Sequence, residues 1–180
     1  MKIKPEILLN NNDFSHNKIL ITGSDESFIN YVRDHIIKVF KNKKYFIDMS
    51  GNYNKGIAGD LFSDKKVLFL LKEYSSKDLE SAELSNQVIL ITSTSSKKTN
   101  NTKSELSKSK DGLVVECYPL NRKSKEVVLR QYIDKKNIDI SSDIFWYILE
   151  NLDNQYVFFI QQLETLKLLQ SKIDSINVIE

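Results

Sequence analysis

Few residues in this 180-residue chain have the chemistry of a catalytic or metal site. There is one cysteine and there are two histidines. A lone Cys117 can form no internal disulfide and supplies no zinc spacing. His16 and His35 have no Cys or Glu-x-x-His companion, so both read as structural histidines. Cys117 closes a strand-like run, and nothing beside it in sequence lowers a thiol pKa. It reads as a buried structural thiol rather than a nucleophile. No Gly-x-Ser-x-Gly elbow is present. The carboxylate pair Asp25-Glu26 is explained by a helix start, where the helix dipole favours acids, better than by acid–base catalysis.

The segment Gly23-Ser24-Asp25-Glu26-Ser27-Phe28-Ile29 follows a strand-like run, where a phosphate loop would lie. A phosphate loop needs glycines whose N–H groups wrap the phosphates. It then needs a Lys for the phosphates and a Ser or Thr for Mg²⁺. Here there is a single Gly, no Lys, and two carboxylates that would repel a polyphosphate. A Gly-x-Gly-x-x-Gly fingerprint is also absent. The acidic pair that holds Mg²⁺ in such enzymes is missing too. The run Val67–Leu71 leads into Lys72-Glu73, and Val88–Thr92 leads into Ser93. Gly23, Ser24, Asp25 and Glu26 therefore read as a degenerate phosphate loop that does not bind ATP, and no cofactor is expected.

Two other segments could bind rather than react. The stretch from Thr92 to Gly112 is rich in Ser, Thr and Lys. Lys97, Lys98, Lys103, Lys108 and Lys110 could meet phosphate, but no aromatic residues interleave to stack on bases. An exposed, mobile connection with at most a short polar helix is expected there. In Asp60-Leu61-Phe62-Ser63-Asp64-Lys65-Lys66 an apolar pair sits between a Gly59-Asp60 breaker and a charged turn. Leu61 and Phe62 either pack into the core at a helix end or protrude as a plug for a partner's pocket.

The elements that must hold these residues are legible from periodicity. Short apolar runs occur at Ile19–Thr22, Tyr45–Met49, Val67–Leu71, Val88–Thr92 and Leu113–Cys117. Several are apolar on consecutive residues, the pattern of parallel strands buried on both faces. Between the first two, a helix is expected from Asp25 to about Lys41, capped by Ser24. Its stripe is Phe28, Ile29, Val32, Ile36, Val39 and Phe40. This is a βαβ opening. After Pro119 three helical patterns follow: Arg122–Lys136, Ser142–Asn151 and Gln155–Leu169. Ile144, Phe145, Ile148, Leu149 and Leu152 form the stripe of the second. Tyr156, Phe159, Ile160, Leu163 and Leu166 form that of the third. The expected fold class is α/β: a parallel sheet flanked by helices over 1–120, then a small three-helix bundle over 121–180.

Composition agrees with a folded soluble chain. Hydrophobic residues make up 41% and charged residues 28%, which is enough apolar material for a core. Twenty-six Lys+Arg against twenty-four Asp+Glu give a formal net charge of +2. A nucleic-acid affinity driven by overall charge is excluded, so any such contact must be a local patch. No apolar run approaches the roughly 20 residues of a membrane span. No signal sequence opens the chain, and cysteine usage fits a reducing compartment, so a cytoplasmic location is expected.

Nearly all of the chain, in order, resembles the delta subunit of the bacterial DNA polymerase III clamp loader, most loosely over 93–112. Lys4-Pro5-Glu6-x-Leu8 is similar to the start of family members. Ile19–Phe28 resembles the family's strand and its relic of a phosphate loop. Leu61–Leu68 resembles the segment with a clamp-binding Leu-Phe pair and the strand that follows. Val114–Leu120 is similar to the family's last strand and its exit to the second domain. Asn154–Leu169 resembles the helix ending in Glu-x-x-Lys-Leu. The resemblance implies an AAA+-like P-loop fold with a lid domain, and no ATP hydrolysis by the subunit itself. Its implied partners are the sliding clamp (the beta subunit), the gamma/tau and delta prime loader subunits, and primed DNA reached through the complex. The chain would hold the clamp ring open, with Leu61 and Phe62 inserted in the clamp. Catalysis would reside in the holoenzyme, and location would be cytoplasmic at the replisome. The sequence departs from the family by lacking the helical collar domain. Two alternatives stand beside this reading: a non-catalytic DNA-binding adaptor using the lysines of 93–112, and a divergent NTPase.

Overall fold

The computed structural model describes residues 1–11, 13, 15–51, 66–72, 87–94 and 97–177. The chain forms two compact units, Met1–Tyr118 and Pro119–Glu180. Leu61 and Phe62 lie outside the described residues.

Among the described residues the first unit is built on a six-stranded sheet. Its strands are β1 (Lys2–Ile3), β2 (Lys18–Gly23), β3 (Phe46–Asp48), β4 (Val67–Leu71), β5 (Gln87–Thr94) and β6 (Gly112–Cys117). The order is β1-β6-β2-β5-β4-β3, and every pairing is parallel. Helices α1 (Pro5–Leu8), α2 (Glu26–Asn42) and α3 (Lys97–Lys108) accompany it. The five predicted runs are all strands. β5 and β6 reach beyond their apolar cores, and β3 is shorter than its run. β1 and α1 were not expected: two residues are too few to show a period.

The sheet is covered on both faces, which explains the consecutive apolar residues. Register sets Leu20, Ile91 and Val114 side by side, and these pack with Phe69, Leu71, Ile89 and Leu106 of α3. α2 also packs on β2, β5 and β6. Its predicted stripe, Phe28, Ile29, Val32, Ile36, Val39 and Phe40, is buried throughout.

Two local expectations are corrected. The cap of α2 is Asp25, not Ser24: the Asp25 carboxylate accepts from Phe28 N at 3.0 Å. Asp25 N itself donates to Cys117 O at 3.2 Å, which fixes the extended backbone that a cap needs. The Ser/Thr/Lys-rich stretch is also not a loose connection, since Lys97–Lys108 is a helix. Thr99, Thr102 and Leu106 fall on one face of α3 and are buried. The hydroxyls of Ser93 and Thr99 share a hydrogen bond of 2.9 Å, and Thr99 also donates to Thr94 O at 3.2 Å. Threonine thus serves as a small core residue whose polar atom is satisfied locally, which hides the helix from a hydrophobicity scan.

The second unit has three described helices: α4 (Arg122–Lys136), α5 (Ser142–Asn151) and α6 (Tyr156–Asn177). The first two match their predicted bounds, and α6 runs past Leu169. Asn121 and Ser141 cap α4 and α5 through Ser124 N and Ile144 N. α4 ends on Asn137, whose φ of 51° is left-handed. Val128, Leu129, Phe145, Leu149, Tyr156, Phe159 and Leu163 form the core. Ile144 and Leu166, assigned to the apolar stripes, are exposed instead. The core also takes in Lys125. Its ammonium donates to Leu152 O at 2.6 Å and Asn154 Oδ1 at 3.2 Å, and lies 5.5 Å from the Phe159 ring centroid. Burial lowers its pKa, against the pull of Asp153.

Candidate functional site

The strand order makes β2 a branch point. The chain leaves β2 through α2 toward the β3 side of the sheet and returns strand by strand to β5. It then crosses by α3 to β6, on the other side of β2. Ligands of open α/β sheets bind at the carboxyl ends of the strands at such a point. The turn Gly23-Ser24-Asp25-Glu26 lies there, between β2 and α2.

That turn is filled by its own chain. Gly23 has φ of +150°, and a Cβ built on it would overlap the Cys117 backbone carbonyl. The strand end and β6 are therefore in direct backbone contact, which only glycine permits. The Asp25 N–H is taken by Cys117 O, and the Phe28 N–H by Asp25 Oδ1. Ser27 Oγ also donates to Asp25 Oδ1, at 2.6 Å. An anion at a helix N-terminus relies on such free donors. Here the Asp25 carboxylate of the same turn accepts the Phe28 amide and the Ser27 hydroxyl, and Cys117 O accepts the Asp25 amide. Glu26 follows in the first turn of α2 and adds a second negative charge.

The surroundings of the turn are polar and closed. Asp25 is buried, and its Oδ2 has no hydrogen-bond partner; neither does the buried Thr22 Oγ1. The Cys117 thiol is fully buried, and burial, with the charges of Asp25 and Glu6, raises its pKa well above the usual thiol range. A thiol so placed stays protonated and inert, as the sequence suggests. Glu6 of α1 is itself buried.

Glu116, the cross-strand partner of Thr22, is held by ion pairs from Lys2 and Lys103, and Tyr118 Oη lies 3.4 Å away. Burial alone would raise the Glu116 carboxyl, but the bonds from Lys103 and Lys2 outweigh it and keep it below the usual carboxylate range. Lys103 is correspondingly raised, chiefly by its bond to Glu116. One lysine of the proposed phosphate-facing set is thus committed within the fold, while Lys108 and Lys110 are exposed. The side chains of Lys97 and Lys98 lie outside the described residues. The Glu116 cluster was not foreseen. Its one sequence signal is a charge inside the apolar run Leu113–Cys117, which calls for a partner.

Among the described residues no group of three or more His, Cys, Asp or Glu could hold a metal ion. Nor is any described helix long and apolar enough to cross a membrane.

No known protein family and no curated protein matches the sequence. Solved structures do match the fold. The RuvB Holliday junction branch migration motor of Thermotoga maritima superposes with a TM-score of 0.51 at 11% identity, over 88% of this chain and 56% of that one. The replication initiator DnaA, bound to AMPPCP and single-stranded DNA, gives 0.50 at 15% identity, over 95% of this chain and 63% of that one. The chain therefore spans less than two thirds of either protein. At these identities the likeness defines a class of fold. This is an α/β protein, a parallel sheet flanked by helices, with the fold of these two proteins.

Proposed function

We propose that this chain is a clamp-loader subunit of the delta type, an AAA+-like protein that binds the sliding clamp and holds its ring open without hydrolysing ATP. The observation that carries the reading is the self-filled turn. The fold is shared with a branch migration motor and a replication initiator, yet the Asp25 carboxylate sits in the turn, accepts from Phe28 N and Ser27 Oγ, and would repel a phosphate there. A protein built this way acts by binding. The order of motifs along the sequence supplies the partner: Leu61 and Phe62 enter an apolar pocket of the clamp. Each buries enough surface for roughly 1.5–3 kcal/mol. That energy opens the ring only to the extent that the plug binds the open form better than the closed one. The other loader subunits and primed DNA would be reached through the complex. Commitment of Lys103 to Glu116 weighs against an adaptor that grips DNA with the lysines of 93–112.

The test is binding of the purified chain to the sliding clamp of its own organism, with and without Mg·ATP. Binding should be indifferent to ATP. The double variant Leu61→Ala/Phe62→Ala should abolish it while the circular dichroism spectrum stays that of the parent. Clamp binding unaffected by the double variant would remove Leu61 and Phe62 from the site. DNA binding that falls steeply with salt, in place of clamp binding, would favour the adaptor.

A further inference from the structure

Charge is unevenly spread along this chain. Over the whole, 26 Lys+Arg nearly balance 24 Asp+Glu. Between Lys136 and Lys167, however, there is no Lys, Arg or His, while Asp139, Asp143, Glu150, Asp153 and Glu164 all fall there. Helix α5 lies within this acidic stretch. Its Phe145 and Leu149 are buried in the core of the second unit. Away from them Tyr147 is 69% exposed, more than any other large apolar side chain described, and Ile144 is 51% exposed. Residues three and four apart share a helix face, so Asp143 and Glu150 bracket Tyr147 along the outward side. Both acids are exposed. A helix start accounts for Asp143, but Glu150 stands in the last turn, where the dipole disfavours an acid and no basic residue of the helix offsets it.

Exposed aromatics beside arginines can stack on nucleic-acid bases, and two arginines do lie against rings here. Arg122 lies 5.4 Å from the Trp146 ring centroid, and Arg130 lies 4.7 Å from that of Phe145. Each is already paired with a carboxylate: Arg122 with Glu150 at 3.6 Å, and Arg130 with Glu126 at 2.8 Å. A phosphate approaching Tyr147 would meet Asp143 and Glu150 first.

We propose that the outward face of α5, centred on Ile144 and Tyr147, docks a basic amphipathic helix of another protein. Apolar side chains of that helix cover Ile144 and Tyr147, and its flanking Lys or Arg meet Asp143 and Asp139. Charge decides against a second copy of this chain: a two-fold contact through this face would set its acids against their own copies. The surface belongs to the second unit and does not depend on the clamp-binding reading, which rests on Leu61 and Phe62.

Trp146, on the same helix, is the only tryptophan of the chain and reports on this face without a label. The full chain is titrated, at several salt concentrations, with a synthetic amphipathic helix of leucine and lysine and with its leucine–glutamate counterpart. The lysine peptide should shift Trp146 emission saturably, with affinity that falls as salt rises, and the glutamate peptide should not. Tyr147→Ala should weaken binding about tenfold, as at an apolar hot spot. Asp143→Asn should weaken it less and reduce the salt dependence. Because both side chains are exposed, thermal unfolding of the variants should stay close to the parent. Equal response to both peptides, or unchanged binding by folded Tyr147→Ala, would overturn the proposal. So would a folded chain that ignores the lysine peptide, one whose Trp146 answers only to single-stranded oligonucleotide, or one that self-associates through this face.

Discussion

Two regions of the first unit contrast: the turn between β2 and α2, and the edge at β3. At the turn, at the carboxyl end of β2, the chain has turned inward. Gly23 lies against the backbone of Cys117, and Asp25 answers the amide of Phe28. At the edge the chain has left apolar surface in water, with Phe46 and Met49 exposed and Lys41, Lys44 and Lys66 exposed as well. A turn can be closed to an anion when a carboxylate of its own chain accepts from its donors. A binding surface, by contrast, must leave something unsatisfied. The contrast teaches that a closed turn and an exposed apolar edge can rest on separate parts of the same sheet.

The largest effect should come from Gly23→Ala. The new methyl meets backbone rather than a movable side chain, in a conformation unfavourable to L residues. A loss of roughly 3 kcal/mol or more is expected in urea unfolding, from combined strain and overpacking. A variant as stable as the parent would mean that the turn is looser than the contact with Cys117 implies. Next, Asp25→Ala should cost about 1 kcal/mol through the lost cap, while Asp25→Asn, which can still accept from Phe28 N, should cost less. Equal losses would show that charge, not the hydrogen bond, is what fills the turn.

A smaller effect concerns acid stability beside the turn. The folded-state pKa of Glu116 is held below its ordinary value of 4.5. Its stabilising contribution is therefore complete above pH 4.5 and lost as pH falls through the depressed value. Glu116→Gln should flatten the acid limb of a stability–pH curve and leave it unchanged near neutrality in shape. An unchanged acid limb would show that the bonds from Lys2 and Lys103 are not maintained in solution. At the edge, the smallest effect on folding is expected: Phe46→Ala should change stability by no more than about 0.5 kcal/mol. A larger loss would show that Phe46 is a packing residue, and the contrast between closed turn and open edge would fail.

Much of this frame is legible in the residues. Strands such as Val67–Leu71 declare themselves because burial on both faces requires consecutive apolar residues. α2 is equally clear, because one stripe faces the sheet. α3 is not, because Thr99 and Thr102 are core residues of polar type. That the turn lacks the residues of a phosphate loop can be read from the absence of lysine and the presence of carboxylates. How the turn is closed cannot, since Cys117 lies far along the chain and reaches Gly23 only through the pairing of β2 with β6. The exposure of Phe46 is hidden for a similar reason. Tyr45–Met49 reads as a strand like the others, and only the order of the sheet makes it an edge.

The single cysteine offers a way to time the sheet's breathing. Cys117 is fully sealed in β6, next to the turn, and its thiol is held protonated. A disulfide reagent added to the native chain can react only when that strand end opens. The rate of colour release is then a clock for the least accessible part of the first unit, with no residue replaced and no label introduced. Run with the proposed clamp partner present and absent, the same clock would report whether binding changes the opening of that strand.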